Sequence, residues 1–186
     1  MRKDYEIILK LIPENSKVLD IGCSDGELIS YLENKGVSAQ GVELNQEKVI
    51  KCLEKGLDVI HGDINLIVED FPFNQFDYCL LTQTIQAVQK PDQLLNTLKK
   101  VSKNIVVSFN NSARLSKISN FLLSGSFDSL LKKADSDHWY NTDYIHPCSI
   151  KDFKKLAENL DLKIISTFDV INQRKFENGK MPSNLF

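Results

Sequence analysis

Between Lys17 and Phe109 short apolar runs alternate with amphipathic segments, and glycine or proline punctuates them. Few folds accept that rhythm. Lys17–Ile21, Val37–Glu43, Val59–His61, Phe76–Leu81 and Asn104–Phe109 read as strands, each short and rich in apolar residues. The segments between them carry apolar residues at helical spacing: Leu28, Ile29 and Leu32; Val49, Ile50 and Leu53; Leu94, Leu95, Leu98 and Val101. Gly36 and Gly56 each follow a lysine, as at helix C-termini, Asn45 suits an N-cap, and Pro91 suits a first helical turn. Ahead of them, Ile7, Ile8, Leu11 and Ile12 mark a first helix that Pro13 stops. Strand and helix alternating at this spacing predict an α/β fold, a doubly wound and mostly parallel sheet with helices on both faces. Such sheets take ligands outside the carboxyl ends of their strands, where the strand order reverses.

Residues Asn110–Asp137 break the rhythm. Leu115, Ile118, Phe121 and Leu122 predict a helix, Gly125–Ser126 a turn, and Phe127, Leu130 and Leu131 a second short helix. A segment rich in aromatic residues and histidine runs from His138 to Ser149. Ser149 suits the cap of a helix with Phe153, Leu156, Ala157 and Leu160 facing inward, and Leu162–Ile171 reads as a last strand. The 186 residues suit one domain, 1–186, with a lid or insertion at about 110–148.

Charge and cysteine usage narrow the function. The formal net charge is −2 with no basic block, which speaks against a nucleic-acid partner. No apolar run reaches the length of a bilayer span, so no membrane partner is expected. The cysteines Cys23, Cys52, Cys79 and Cys148 include no C-x-x-C pair, which fits a reducing cytoplasm rather than a disulfide framework. His138, His146 and Cys148 match no zinc spacing, so no metal is expected.

The stretch Asp20-Ile21-Gly22-Cys23-Ser24-Asp25-Gly26-Glu27-Leu28 follows the first strand and opens a helix. Glycines there let backbone approach a ligand. Glu43, at the end of the second strand, offers two acceptor oxygens for the hydroxyls of a ribose. Loop and acid together point to an adenosine-containing cofactor. Gly22 to Gly26 is one residue shorter than the dinucleotide G-x-G-x-x-G, which disfavours a nicotinamide oxidoreductase. Ser24-x-x-Glu27 has the form of a capping box. A self-capped helix start would not serve a pyrophosphate.

Val18 to Gly26 resembles the first motif of class I S-adenosylmethionine (SAM)-dependent methyltransferases, which implies their Rossmann-like fold. The resemblance implies a cofactor site, for SAM or S-adenosylhomocysteine, at Asp20, Gly22, Cys23, Ser24, Gly26, Glu43, Leu44, Asp63, Ile64, Thr82 and Gln83. Within it Asp20 would serve the methionyl end, Glu43 the ribose, Asp63 the adenine amine, and Thr82–Gln83 the methionine moiety. More specific still, Leu81–Ala87 with Pro91, Ile105–Phe109 with Asn111, and Trp139–Thr142 with Ile145, His146, Cys148 and Asp152–Phe153 resemble the MetW family. That likeness implies a protein of methionine biosynthesis that binds SAM and supports homoserine O-acyltransferase (MetX). The alternative it leaves open is an active methyltransferase on a small-molecule acceptor. His146 would then be the base, with Tyr140, Trp139 and Tyr144 shaping the acceptor pocket. The chain departs from the family at Asn110, Ser112, Gly125–Phe127 and Asp143–Tyr144. Pro182–Leu185 resembles the segment before the family's final antiparallel edge strand, which is therefore expected to be missing.

Overall fold

The computed structural model describes residues 1–128, 138, 142, 145–171 and 174–177. Leu130, Leu131, Trp139, Tyr140, Tyr144 and Pro182–Leu185 lie outside the described residues. The chain folds as two compact units: Met1–Ile85 with Lys90–Ser108, and Gln86–Gln89 with Phe109–Phe186.

The first unit opens with α1 (Lys3–Leu11) and then alternates: β1 (Lys17–Ile21), α2 (Glu27–Asn34), β2 (Ser38–Glu43), α3 (Gln46–Glu54) and β3 (Val59–His61). A short α4 (Ile64–Ile67) runs into a 3-10 turn, followed by β4 (Phe76–Thr82), α5 (Pro91–Val101) and β5 (Ser102–Ser108). All five strands are parallel, in the order β3-β2-β1-β4-β5. The order reverses between β1 and β4, so the crevice at their carboxyl ends is the topological switch point. This is the doubly wound sheet that the alternation predicts.

The pleat sends Val18 and Asp20 to one face of β1 and Leu19 and Ile21 to the other. Val18 and Leu80 join a core with Tyr5 and Ile8 of α1, Leu28, Ile29 and Leu32 of α2, and Cys52 of α3. Leu19, Ile21, Cys79 and Leu81 are equally buried on the opposite face, as a sheet covered on both sides requires. Leu94, Leu95, Leu98 and Val101 of α5 are buried as their spacing predicts. On α3 the spacing misleads. Val49 and Cys52 are buried, whereas Ile50 and Leu53 are 48% and 57% exposed. Asn45 caps this helix, accepting from the Lys48 amide at 3.2 Å. β5 begins earlier than its apolar run because Ser102 leaves α5 directly into the strand.

The second unit holds α6 (Leu115–Ser124), α7 (Ile150–Asn159) and a separate antiparallel pair, β6 (Ser166–Asp169) with β7 (Arg174–Glu177). Gly125 ends α6 in the left-handed region at φ +66°. Ser149 and Asp152 form a full capping box at the start of α7. Gln86 organises the chain before α7. Its carbonyl accepts from the Ile145 and His146 amides, its side-chain amide donates to the His146 carbonyl, and its Oε1 accepts from the Asn110 amide.

Candidate functional site

β1 delivers the chain to the switch point, where the glycine loop turns back along the end of β2. The Gly22 and Cys23 amides both donate to the Val42 carbonyl, at 2.8 and 3.2 Å. Gly22 has φ +72°, and a Cβ there would lie 2.7 Å from Thr84 Oγ1. Thr84 is fixed by its own bond to the Ile21 carbonyl at 3.0 Å, so the turn has no room for a side chain. Thr84, from the segment after β4, is a shaping residue for which the sequence gives no signal.

The capping box expected at Ser24 and Glu27 does not form. Gly26, at φ +77°, is the N-cap of α2 and makes no side-chain cap bond. Ser24 itself is left-handed at φ +56°, and its amide donates to Glu43 Oε2 at 2.9 Å. Glu27 instead accepts from the Tyr31 hydroxyl one turn on. The loop thus carries at position 24 a serine held in a glycine-like conformation by the acid of the next strand.

Glu43 is the hinge of the site. It is buried, and its other oxygen accepts from the Asn45 amide at 2.8 Å. One carboxylate therefore ties the glycine loop to the start of α3, while each oxygen retains a second lone pair for a ligand hydroxyl. Leu44 beside it is 66% exposed, an apolar side chain left open next to a buried acid. Its carbonyl bonds the His61 ring Nε2 at 3.0 Å. Asp63 caps α4 through the Asn65 amide at 2.9 Å, and Ile64, the first residue of that helix, is buried. Thr82 is buried at the end of β4, and Gln83 follows at φ +58° with its amide on the Ser108 carbonyl. Asp20, Gly22, Cys23, Ser24, Gly26, Glu43, Leu44, Asp63, Ile64, Thr82 and Gln83 all belong to the first unit, at the carboxyl ends of β1 to β4 or just after them.

Asp20 is the anomaly. It is 1% exposed, and neither carboxylate oxygen has a hydrogen-bond partner among the described residues. Burial pushes its pKa up to about 7, against the pull of the Arg2 charge and with a further push from Glu43. Cys23 is buried as well, and burial raises its thiol far above the usual range. It packs over Gly41, where an added Cβ would lie 2.6 Å from its sulfur. Its place in the loop before a helix does not make it a reactive thiolate.

His146 belongs to the second unit and is exposed. Its Nε2 lies 3.2 Å from the Gln89 carbonyl, which fixes the ring. His138 pairs with Asp128 at 3.1 Å. Among the described residues no group of His, Cys, Asp and Glu has the arrangement of a metal site.

A parallel sheet in the order 3-2-1-4-5, with a glycine turn after β1 and an acid after β2, defines the Rossmann-like class to which SAM-dependent methyltransferases belong. Solved structures agree on the fold. A SAM-dependent methyltransferase from Archaeoglobus fulgidus superposes with a TM-score of 0.65 at 19% identity, over 89% of this chain and 73% of that one. The plantazolicin methyltransferase BamL, solved with S-adenosylhomocysteine, gives 0.62 at 17% identity, over 85% and 57%. The chain belongs to the family described as methionine biosynthesis protein MetW, which matches residues 2–186. It is also 32% identical over 170 residues to the bifunctional methionine biosynthesis protein MetXA/MetW of Rhodopirellula baltica. That match covers 87% of this chain and 27% of the relative, so the chain spans about a quarter of that protein's length.

Proposed function

We propose that this chain binds SAM at the switch point and acts in methionine biosynthesis as the partner of a homoserine O-acyltransferase. The observation that carries the cofactor is the pair of buried carboxylates, Asp20 with no hydrogen-bond partner among the described residues and Glu43 clamping the glycine loop. SAM suits such a site. Its sulfonium and ammonium are cations, its ribose hydroxyls match a carboxylate with spare lone pairs, and it has no phosphate. A dinucleotide suits it poorly, because α2 opens with Glu27 and the loop amide of Ser24 is already taken by Glu43. The partner reading is supported by the relative whose name joins MetXA and MetW in one chain.

Calorimetry with SAM, S-adenosylhomocysteine and NAD tests the cofactor. Heat with the first two and none with NAD is expected, and a folded sample silent to SAM overturns the reading. The partner is tested by assaying a homoserine O-acyltransferase from the same source with and without this chain. Higher activity in the mixture is expected; unchanged activity and no co-purification would remove the partnership.

The fold shared with methyltransferases supports an alternative, direct methyl transfer to a small acceptor with His146 as base. That reading requires turnover of SAM that falls on His146→Ala. Turnover surviving the change would exclude His146 as the base.

A further inference from the structure

The segment Gln86–Gln89 holds one exposed histidine by its backbone and by its ring. The Gln86 carbonyl accepts from the Ile145 and His146 amides, each at 3.0 Å. The Gln86 side-chain amide donates to the His146 carbonyl at 3.3 Å. His146 Nε2 lies 3.2 Å from the Gln89 carbonyl. The chain after His146 is tied as well. The Ser112 amide donates to the Cys148 carbonyl at 2.9 Å, Asn111 and Cys148 form a β-bridge, and Ser149 starts α7 with its capping box. Pro147 adds a restriction of its own, since the residue before a proline is driven to extended backbone. Gln86 is 2% exposed, and its Oε1 accepts from the Asn110 amide at 2.9 Å. A buried amide bonded at both ends is held in one orientation, so His146 is an exposed side chain on a rigid support.

The bond to Gln89 decides where the ring carries its hydrogen. A backbone carbonyl only accepts, so the nitrogen facing it must be the N–H. A neutral imidazole has one N–H, which leaves Nδ1 with a lone pair. Among the described residues Nδ1 has no hydrogen-bond partner. We propose that Gln86 and Gln89 present His146 as the Nε2–H tautomer, with Nδ1 as its proton-accepting atom for a ligand O–H or N–H. Its use as a base rests on the methyl-transfer alternative above. There the proton of the acceptor would pass to Nδ1, and its bonding pair would stay on the acceptor oxygen or nitrogen as that atom takes the methyl group. The imidazolium so formed keeps its Nε2–H on the Gln89 carbonyl. Gln86 touches no reacting atom in this scheme and is a positioning residue.

Nitrogen NMR on the full chain, labelled at histidine, reads the tautomer directly. Spectra are taken at about pH 9, above the ordinary histidine range, and His146 is assigned by the loss of its signals in His146→Gln. A single tautomer protonated at Nε2 is expected, with an N–H proton that exchanges slowly enough to be seen. Gln86→Met keeps the length of the side chain and removes both polar atoms. In that variant the proton signal should vanish, and both ring nitrogens should move toward the mixture of a free imidazole. Should it fail to fold, Gln86→Glu keeps an acceptor for the Asn110 amide, loses the donor to the His146 carbonyl, and should show the same change. A wild type protonated at Nδ1, or exchanging between tautomers, overturns the proposal. So does Gln86→Met with an unchanged spectrum. Methyl transfer is measured separately. Where the wild type turns over, Gln86→Met should lower kcat roughly ten- to hundredfold with KM little changed, the scale for a misplaced reacting group. An unchanged kcat overturns the role of Nδ1 as the base. A wild type without turnover overturns the methyl-transfer reading, while the spectrum still decides the tautomer.

Discussion

Among the described residues Asp20 has no hydrogen-bond partner, against the rule that buried charges are paired, and a ligand site is where such an exception can persist. Its carboxyl has an ordinary pKa of 3.8 and a folded one of about 7. Between those values the folded protein keeps a proton that the unfolded chain has released. Stability should therefore fall as pH rises from about 4 to about 7 and level off above, at about 1.4 kcal/mol per unit of displacement. Asp20→Asn removes the titration. Thermal unfolding should show the variant more stable than the wild type at pH 8, with the gap closing toward pH 5. Calorimetry should show it binding S-adenosylhomocysteine more weakly. A gap that does not vary with pH would mean that the carboxyl is not buried as described. Substitution at Glu43 should act on stability in the other direction. Glu43→Gln removes one of the two acceptors that hold the Ser24 and Asn45 amides, so both stability and cofactor affinity should fall, stability by roughly 1–3 kcal/mol. Glu43 stands out in the sequence because an acid ends a strand next to a glycine loop.

At the scale of elements, periodicity locates the strands and helices but does not settle which residues face inward. The α3 stripe illustrates this. Val49, Ile50 and Leu53 form one plausible face, yet the cysteine at position 52 points into the core because it must pass beneath the glycine loop. Its sulfur bonds the Ser24 carbonyl at 3.3 Å. Ile50→Glu and Leu53→Glu should therefore each change stability by under about 0.5 kcal/mol in urea titrations. Losses of about 2 kcal/mol, the scale of a core position, would restore the expected face. Gly41 on β2 gives the opposite case. It stands beside Asp20 in the ladder, and a Cβ there would meet Cys23 Sγ at 2.6 Å and Ile29 Cδ1 at 2.7 Å. Gly41→Ala should cost about 1–3 kcal/mol by overpacking and should also disturb the loop that Cys23 carries. Nothing in the sequence marks that glycine, because its reason is the packing of β2 against a loop that follows β1. The capping box at Ser24 fails for a related cause. A local pattern, Ser-x-x-Glu, competes with a carboxylate from another strand, and the tertiary partner wins.

For the whole molecule, the two-unit division matters more than the fold class, which the alternation of elements already announces. Every residue expected to hold the cofactor falls in the first unit, whereas His146 falls in the second. The expected cofactor residues and His146 are thus assigned to different units of one chain. Ligand linkage makes the separation measurable. S-adenosylhomocysteine at a hundred times its dissociation constant should stabilise whatever part binds it by about 2.7 kcal/mol. If the site is the switch point alone, hydrogen exchange should slow at the Ser24, Asn45 and Gln83 amides, whose acceptors lie at the end of β2 and the end of β5. The amides of α7 should keep their ligand-free rates. Uniform slowing across α7 would show instead that both units respond to the cofactor as one cooperative body, and His146 would then be coupled to the site.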